Sequence, residues 1–204
     1  MADPMTLSVA AIGAVALTEG IKFLYGQAGE LLKRWRERRD KAAQAAAAPT
    51  EQTEAVGVML PAVFEGQLSG AVIHFDVLQQ SERDLRRLYK DLSEYANEIE
   101  PVDSANDALL QNVDMLRQLL EAVYQRRITF KGEERPPSGS PLVIGRVEAQ
   151  EISGDATGVE AEEAVGGEIR GDVKAERIAP GGHAIGAKVG SVGGKFPRRK
   201  PSDS

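Results

Sequence analysis

The 204-residue chain contains no cysteine and few aromatic residues. Without cysteine, disulfide bonds and thiol chemistry are excluded, which favours a cytoplasmic protein. Nine of the ten aromatic residues lie in residues 1–130, and the tenth is Phe196. Residues 142–194 hold 12 of the 21 glycines and can bury only Val, Ile, Leu and Ala. The composition therefore divides the chain into two dissimilar parts.

The chain also lacks an excess of positive charge and a long hydrophobic run. Its net charge of −6 argues against nucleic acid as a partner. The uncharged run Met5–Thr18 has 14 residues, fewer than the roughly 20 that a membrane-spanning helix needs. A secretory signal peptide is not expected, because Asp3 stands where a positive charge is required and no cleavage site follows.

Residues for catalysis are missing as well. His74 and His183 are far apart in sequence, and Gly193-Gly-Lys195 lacks the spacing and the hydroxyl residue of a phosphate-binding loop. No Gly-x-Ser-x-Gly motif is present. We therefore expect no enzyme activity, no catalytic residues, no metal site and no cofactor.

The first 130 residues have the pattern of an antiparallel bundle of about four helices. Asp3-Pro4 predicts the start of an apolar helix over residues 4–40. A shorter helical stretch is expected over residues 51–64. Apolar residues at three- and four-residue steps predict a long helix and a further helix after Ser104: Leu68, Val72, Phe75, Leu78, Leu85, Leu88, Leu92, Tyr95 and Ile99, then Leu109, Val113, Leu116, Leu120 and Val123.

Two segments have the composition of irregular structure. Residues 131–141 are rich in Pro, Gly and Ser and predict a flexible linker. Residues 195–204 form a short basic tail that we expect to be disordered.

Residues 142–194 contain an internal repeat, because the segment 145–152 returns 26 residues later as 171–178. Apolar positions repeat as apolar residues and form the expected stacking core: Val147, Ala149, Ile152, Val159, Val173, Ala175, Ile178 and Ile185. Charged positions repeat with the opposite sign: Arg146/Asp172, Glu148/Lys174, Glu151/Arg177 and Glu162/Lys188. The segment keeps its apolar positions and inverts its charges, as expected of a unit that stacks on a copy of itself.

The repeat predicts short strands separated by glycine-rich corners, stacked as a small parallel β-solenoid with about 4.8 Å between coils. Opposite charges on facing positions contribute roughly 0.2–1 kcal/mol per pair, which favours the 26-residue register. Since a solenoid usually needs about three repeats, stacking between chains would supply the missing neighbours. Two alternatives stay open at this point: an acidic disordered tail, and a self-contained solenoid that does not polymerise.

The N-terminal helix has two interpretations. It is either a core helix with a solvated basic end, or a helix buried at rest and then released into a membrane, where small residues allow close helix packing. In the second interpretation the membrane-inserting residues are Leu7, Val9, Ile12, Gly13, Val15, Leu17 and Gly20. The basic residues that would face anionic lipid are Lys33, Arg34, Arg36, Arg38 and Arg39.

This organisation resembles a known architecture. The Met1-Ala-Asp-Pro4 opening, the small-residue apolar helix, the helical region to about Phe130 and the terminal repeat are together similar to two protein classes. One is the HET-s-type fungal prion proteins, which join a HeLo helical domain to a two-repeat β-solenoid amyloid motif. The other, closer in style, is the bacterial Bell domain with a C-terminal amyloid signalling motif. The repeat is longer here and nearly free of Asn and Gln.

The resemblance implies a cell-death effector that is cytoplasmic at rest. A receptor that carries a similar repeat would template residues 142–194 into a stacked solenoid. Assembly of copies of the chain would then release the N-terminal helix into the lipids of the inner face of the plasma membrane and permeabilise it. The alternatives are a non-toxic membrane-associated scaffold, similar to bactofilin-like solenoid filaments, and a helical adaptor with an inert tail.

Overall fold

The computed structural model describes residues 13–45, 53–153, 155–165, 168–181 and 183–193. The chain folds as two compact units, Met1–Ser140 and Pro141–Ser204. Within the described ranges, the first contains four helices and a small sheet, and the second contains only strands. The fold is thus mixed, with helices and separate small sheets. Residues 195–204 of the expected basic tail lie outside the described residues.

The first unit is built around three longer helices, α1 (Ala14–Ala45), α2 (Phe75–Asp91) and α4 (Asp107–Tyr124), which pack on one another. A short helix, α3 (Ser93–Ala96), follows α2. Asn106 caps α4, because its side chain accepts a hydrogen bond from the Leu109 backbone N–H at 3.1 Å. Each long helix buries an apolar stripe in one core, which includes Leu17, Ile21, Leu24, Leu78, Leu85, Leu88, Val113, Leu116 and Leu120.

The helix expected over residues 51–64 is wrong, and the long helix expected from Leu68 to Ile99 is shorter. Strand β1 (Thr53–Val56) pairs antiparallel with β2 (Ala71–His74). In β2 burial alternates, since Ala71 and Ile73 are buried while Val72 and His74 are half-buried. Strand β2 is followed directly by the helical pattern that begins at Phe75. Four residues are too few to distinguish the alternation of a strand from the spacing of a helix in a sequence.

The C-terminal end of the long helix also differs from the expectation, which extended it to Ile99. The chain leaves helical geometry at Leu92, and α3 forms separately after it. Glu98 then adopts a left-handed conformation with φ of 59°, which ends the helical path. As a result Ile99 is 73% exposed and is not part of the core.

The expected linker at residues 131–141 is folded against the first unit up to Ser140. The backbone N–H of Ser138 donates to the Glu65 carbonyl at 2.9 Å, and that of Gly139 donates to the Arg127 carbonyl at 2.9 Å. Gly139 has φ of 84°, and a Cβ there would collide with the backbone of Gln67. The Pro and Gly residues of this segment therefore serve tight turns in a packed loop.

The second unit has four strands of 11 residues each: β3 (Leu142–Ile152), β4 (Asp155–Val165), β5 (Glu168–Ile178) and β6 (His183–Gly193). Strand β3 pairs in parallel with β5, and β4 pairs in parallel with β6. In the sequence, the two strands of each pair are therefore separated by one strand that belongs to the other pair.

The two strand pairs have different offsets. In β3 and β5 every pair, such as Val147 with Val173, is separated by the 26 residues of the sequence repeat. In β4 and β6 the separation is 28 residues, as in Asp155 with His183. The connection from β3 to β4 spans residues 153–154, whereas that from β5 to β6 spans 179–182. These two additional residues shift the second register.

Candidate functional site

The positions with inverted charge lie opposite each other in the β3–β5 pair. Arg146 is the register partner of Asp172, Glu148 that of Lys174, and Glu151 that of Arg177. The expected core positions Val147, Ala149 and Ile152 are likewise opposite Val173, Ala175 and Ile178.

In the β4–β6 pair the expected partners are wrong by two residues. Lys188 is opposite Glu160, not Glu162, and Val159 is opposite Ala187, not Ile185. Thr157 takes the position opposite Ile185. The pairing still places a carboxylate position against a basic one, because β4 carries acidic residues at 155, 160, 162 and 163 and no basic residue. The reason for the error is the longer connection before β6.

Two of the residues expected in the stacking core are exposed. Ile178 is 52% exposed and Ile185 is 38% exposed, while Ala175 is half-buried. Both isoleucines belong to the second strand of their sheets, and they flank the four-residue connection of residues 179–182. Among the residues that the structure describes, the expected burial of these two side chains in a single chain is therefore wrong.

The expected membrane-inserting residues fall into three groups. Leu7, Val9 and Ile12 lie outside the described residues. Gly13 is exposed and Val15 is 77% exposed, whereas Leu17 and Gly20 are buried in the core. Among the helices that the structure describes, none combines the length and the apolar character needed to cross a bilayer.

Gly20 has a specific packing role. The ring of Phe130 lies so close to its Cα that a Cβ at this position would collide with two ring carbons. Phe130 in turn packs on Phe64, with 4.5 Å between ring centroids. The small residue that suggested membrane packing thus allows α1 to lie close to the Phe130 ring of the same unit.

The basic residues near the end of α1 have different environments. Arg34 forms ion pairs with Glu30, at 3.1 Å, and with Glu54. The guanidinium of Arg38 lies 4.4 Å from the centroid of the Phe75 ring, a cation–π contact. Arg39 is exposed. Lys33 and Arg36 line a groove with Arg86 and Tyr89 of α2.

A buried ionic network links α4 to the loop that follows it. The Arg117 guanidinium donates to both oxygens of Glu133, at 2.7 and 2.8 Å, and also to Asp114. Glu121 accepts from Arg127 at 2.7 Å and from Arg135 at 3.0 Å. The three carboxylates and three guanidinium groups balance in charge. Such a network holds the loop to the helix.

This network was not predicted from the sequence. Asp114 and Glu121 are only 7% and 1% exposed, although the charged residues of an amphipathic helix usually lie on its solvent face. The available signal was their position, since residues 114, 117 and 121 recur at three- and four-residue steps beside the apolar stripe of α4.

The electrostatics of the network favour the charged form of Arg117. Burial alone would lower the pKa of Arg117, but Glu133, Asp114 and Glu121 outweigh it, and the pKa lies above its ordinary value. Tyr124, whose hydroxyl donates to Gln27 at 2.9 Å, also has a raised pKa, because burial disfavours the phenolate. Neither shift yields a group that could transfer protons near neutral pH.

Comparison with known proteins assigns the chain neither a family nor a function. No family model, no curated protein and no solved structure matches the chain.

Proposed function

We propose that this chain is a self-assembling effector whose C-terminal strands stack head to tail on copies of themselves. The observation that carries the proposal is the distribution of charge over the strand register. Four facing pairs oppose an acidic and a basic residue: Arg146/Asp172, Glu148/Lys174, Glu151/Arg177 and Glu160/Lys188. Oppositely charged neighbours on paired strands are stabilising, and like charges are destabilising.

The same charges give the stack a direction. If β3 of one chain met β3 of another, Glu148 and Glu151 would face copies of themselves. If β5 of one chain meets β3 of the next, each of these positions again faces the opposite charge. The proposed contact therefore repeats the pairing within one chain, and growth is head to tail.

The geometry of the strands is compatible with this contact. Each sheet has only two strands among the described residues, so each strand has one edge with no strand paired to it. We interpret β3 with β4 as one coil of a parallel β-solenoid and β5 with β6 as the next. Two coils fall below the number at which solenoids are usually stable alone, and the exposed Ile178 and Ile185 would gain a neighbour on stacking.

For the helical unit we propose membrane permeabilisation after assembly, as the resemblance to HeLo and Bell domains implies. Stacking would concentrate helical units, and the basic residues of α1 would attract the anionic inner face of the plasma membrane. A receptor with a similar repeat is the proposed trigger. In this proposal the chain acts without a cofactor and without nucleic acid.

A specific observation favours a second candidate, a filament that binds membranes without permeabilising them. Release of α1 up to residue 24 would expose Leu17, Ile21 and Leu24, each at most 1% exposed. At about 1.5–3 kcal/mol for each buried side chain, this costs roughly 5–9 kcal/mol. That is comparable to the whole stability of a typical domain. A helix held this firmly favours a filament in which α1 stays in the core.

One experiment on the full chain tests assembly and separates the two candidates. Fibre formation and dye release from phosphatidylcholine vesicles with about 30% phosphatidylserine, an anionic lipid of the cytoplasmic leaflet, would be followed together after seeding. Fibres with leakage support the effector, and fibres without leakage support the scaffold. A chain that stays monomeric with seeds, or a Lys174→Glu/Arg177→Glu variant that assembles as fast as wild type, contradicts both.

A further inference from the structure

A groove lies between α1 and α2, lined by Gly29, Leu32, Lys33, Arg36, Arg86 and Tyr89. Its volume of about 490 Å³ is within the range of small-molecule sites. Gly29 leaves room for Tyr89, because a Cβ there would lie 3.2 Å from a ring carbon. The Tyr89 ring also stacks on that of Tyr25, with ring centroids 4.1 Å apart and planes 8° from parallel. The groove therefore has a rigid wall formed by an aromatic ring.

The rim of the groove carries an excess of positive charge. Arg86 is held by Glu82 of its own helix, with its Nε 2.8 Å from the carboxylate. Lys33 and Arg36 are exposed and have no ion-pair partner among the described residues. Three cationic side chains thus line one groove, and in the part of the chain that the structure describes only one of them is paired with a carboxylate. Like charges held together in this way destabilise the free protein and favour an anion that joins them.

The chemistry of the lining specifies the anion further. Arginine and lysine together suit a phosphate group, since guanidinium groups bind its oxygens in a bidentate manner and ammonium groups add a point charge. Leu32 and the ring of Tyr89 give the same groove an apolar surface. A bare anion would leave that surface in contact with water, whereas a phosphate attached to an apolar body would cover it.

We propose that this groove binds the phosphate of a single phospholipid, with the lipid's glycerol and first acyl carbons against Leu32 and Tyr89. The inference deepens the proposed membrane association and rests on it for its biological setting. In this proposal the lipid binds at one defined site and not over the whole basic surface of α1. Lys33, Arg36 and Arg86 belong to that site, and Arg39 does not. Binding belongs to the resting chain and needs no stacking of the C-terminal strands.

The test compares two double variants of the full, unseeded chain. Lys33→Ala/Arg36→Ala removes the unpaired cations of the groove, and Arg39→Ala/Lys41→Ala removes the same charge from exposed positions of the same helix outside it. Binding is measured by co-sedimentation with phosphatidylcholine vesicles containing phosphatidic acid. We expect the groove variant to bind about tenfold more weakly than wild type and the control to change less than about threefold. Equal losses in the two variants would overturn the proposal, because a diffuse surface treats all these residues alike.

Soluble probes distinguish the source of the phosphate. Dihexanoyl phosphatidic acid and inorganic phosphate are titrated separately into the wild-type chain by calorimetry. We expect the lipid to bind at least about tenfold more tightly, since only it contacts the apolar wall. Equal affinities would overturn the assignment to a phospholipid. Both measurements precede assembly, so a chain that never forms fibres can still support this site, and a chain without the site can still assemble.

Discussion

Lys188 lies opposite Glu160 in the parallel pairing of β4 with β6, two residues from the Glu162 that the sequence repeat assigns to it. The additional residues in the connection 179–182 cause the shift. The pairing of β3 with β5 keeps the 26-residue offset. The second unit therefore combines two registers, and in the shifted one an acidic residue of β4 still lies opposite Lys188.

This register predicts which second substitution restores the assembly of a Lys188 variant. Lys188→Glu places a carboxylate opposite Glu160, so we expect slower seeded elongation, followed by thioflavin fluorescence. A second change, Glu160→Lys, restores opposite charges and should restore most of the rate. Glu162→Lys changes the net charge equally but does not face position 188, and it is the matched control. Equal rescue by the two lysines would contradict the 28-residue offset.

Charge complementarity also predicts which seeds a chain accepts. The variant with Glu148→Lys, Glu151→Arg, Lys174→Glu and Arg177→Glu keeps opposite charges within each copy and between identical copies. We expect it to elongate its own seeds at close to the wild-type rate. On wild-type seeds its positions 148 and 151 meet like charges, at roughly 0.2–1 kcal/mol each, so elongation should be slower. Indiscriminate cross-seeding would show that these pairs do not govern stacking.

Two glycines of α1 offer a matched test of the helical core. Gly20→Ala introduces a methyl group into the space of the Phe130 ring, and we expect a loss of about 1–3 kcal/mol in the free energy of unfolding. A Cβ at Gly26 would meet no atom within 4 Å beyond its own stretch of helix backbone. Gly26→Ala should therefore stabilise the helix by roughly 0.5–1 kcal/mol. Urea denaturation measures both. Effects of the same sign at the two positions would contradict the close contact of Gly20 with Phe130.

The buried ionic network predicts a large cost for the loss of one charge. Glu133→Gln keeps the shape of the side chain but leaves Arg117 short of a carboxylate, and we expect a loss of about 3–5 kcal/mol. The control is Glu98→Gln, which removes the exposed ion pair with Lys22 at 2.7 Å and should cost less than about 1 kcal/mol. Thermal and urea unfolding check both values. If Glu133→Gln is as mild as the control, the network does not hold the loop to α4.

Periodicity predicted the parts of the fold in which one pattern extends over many residues. The stripes of α2 and α4 were identified because apolar residues recur over several turns, and the strand pairing of β3 with β5 agrees with the 26-residue repeat. Strand β2 was missed because its four residues are too few to reveal a period. The composition around Gly139 predicts a flexible linker, whereas the structure has a packed turn there, because composition does not distinguish a packed turn from a loose one.

The candidate site was less predictable than the fold. Charge inversion identified the facing positions of β3 and β5, but the partner of Lys188 depends on the length of a connection that precedes it. The groove at Lys33 and Arg36 depends on Arg86 and Tyr89, which belong to another helix, and no pattern within one helix indicates that contact. Buried charges such as Arg117 are likewise recognised only when their partners are in place.

The mass per unit length of fibres grown from the full chain tests the central claim most directly. If each chain contributes two stacked coils, it occupies two strand spacings, and we expect one molecule per about 9.6 Å of fibre. Scanning transmission electron microscopy of unstained fibres gives this value. One molecule per about 4.8 Å would indicate a single layer for each chain and would contradict stacking of β3 with β4 upon β5 with β6.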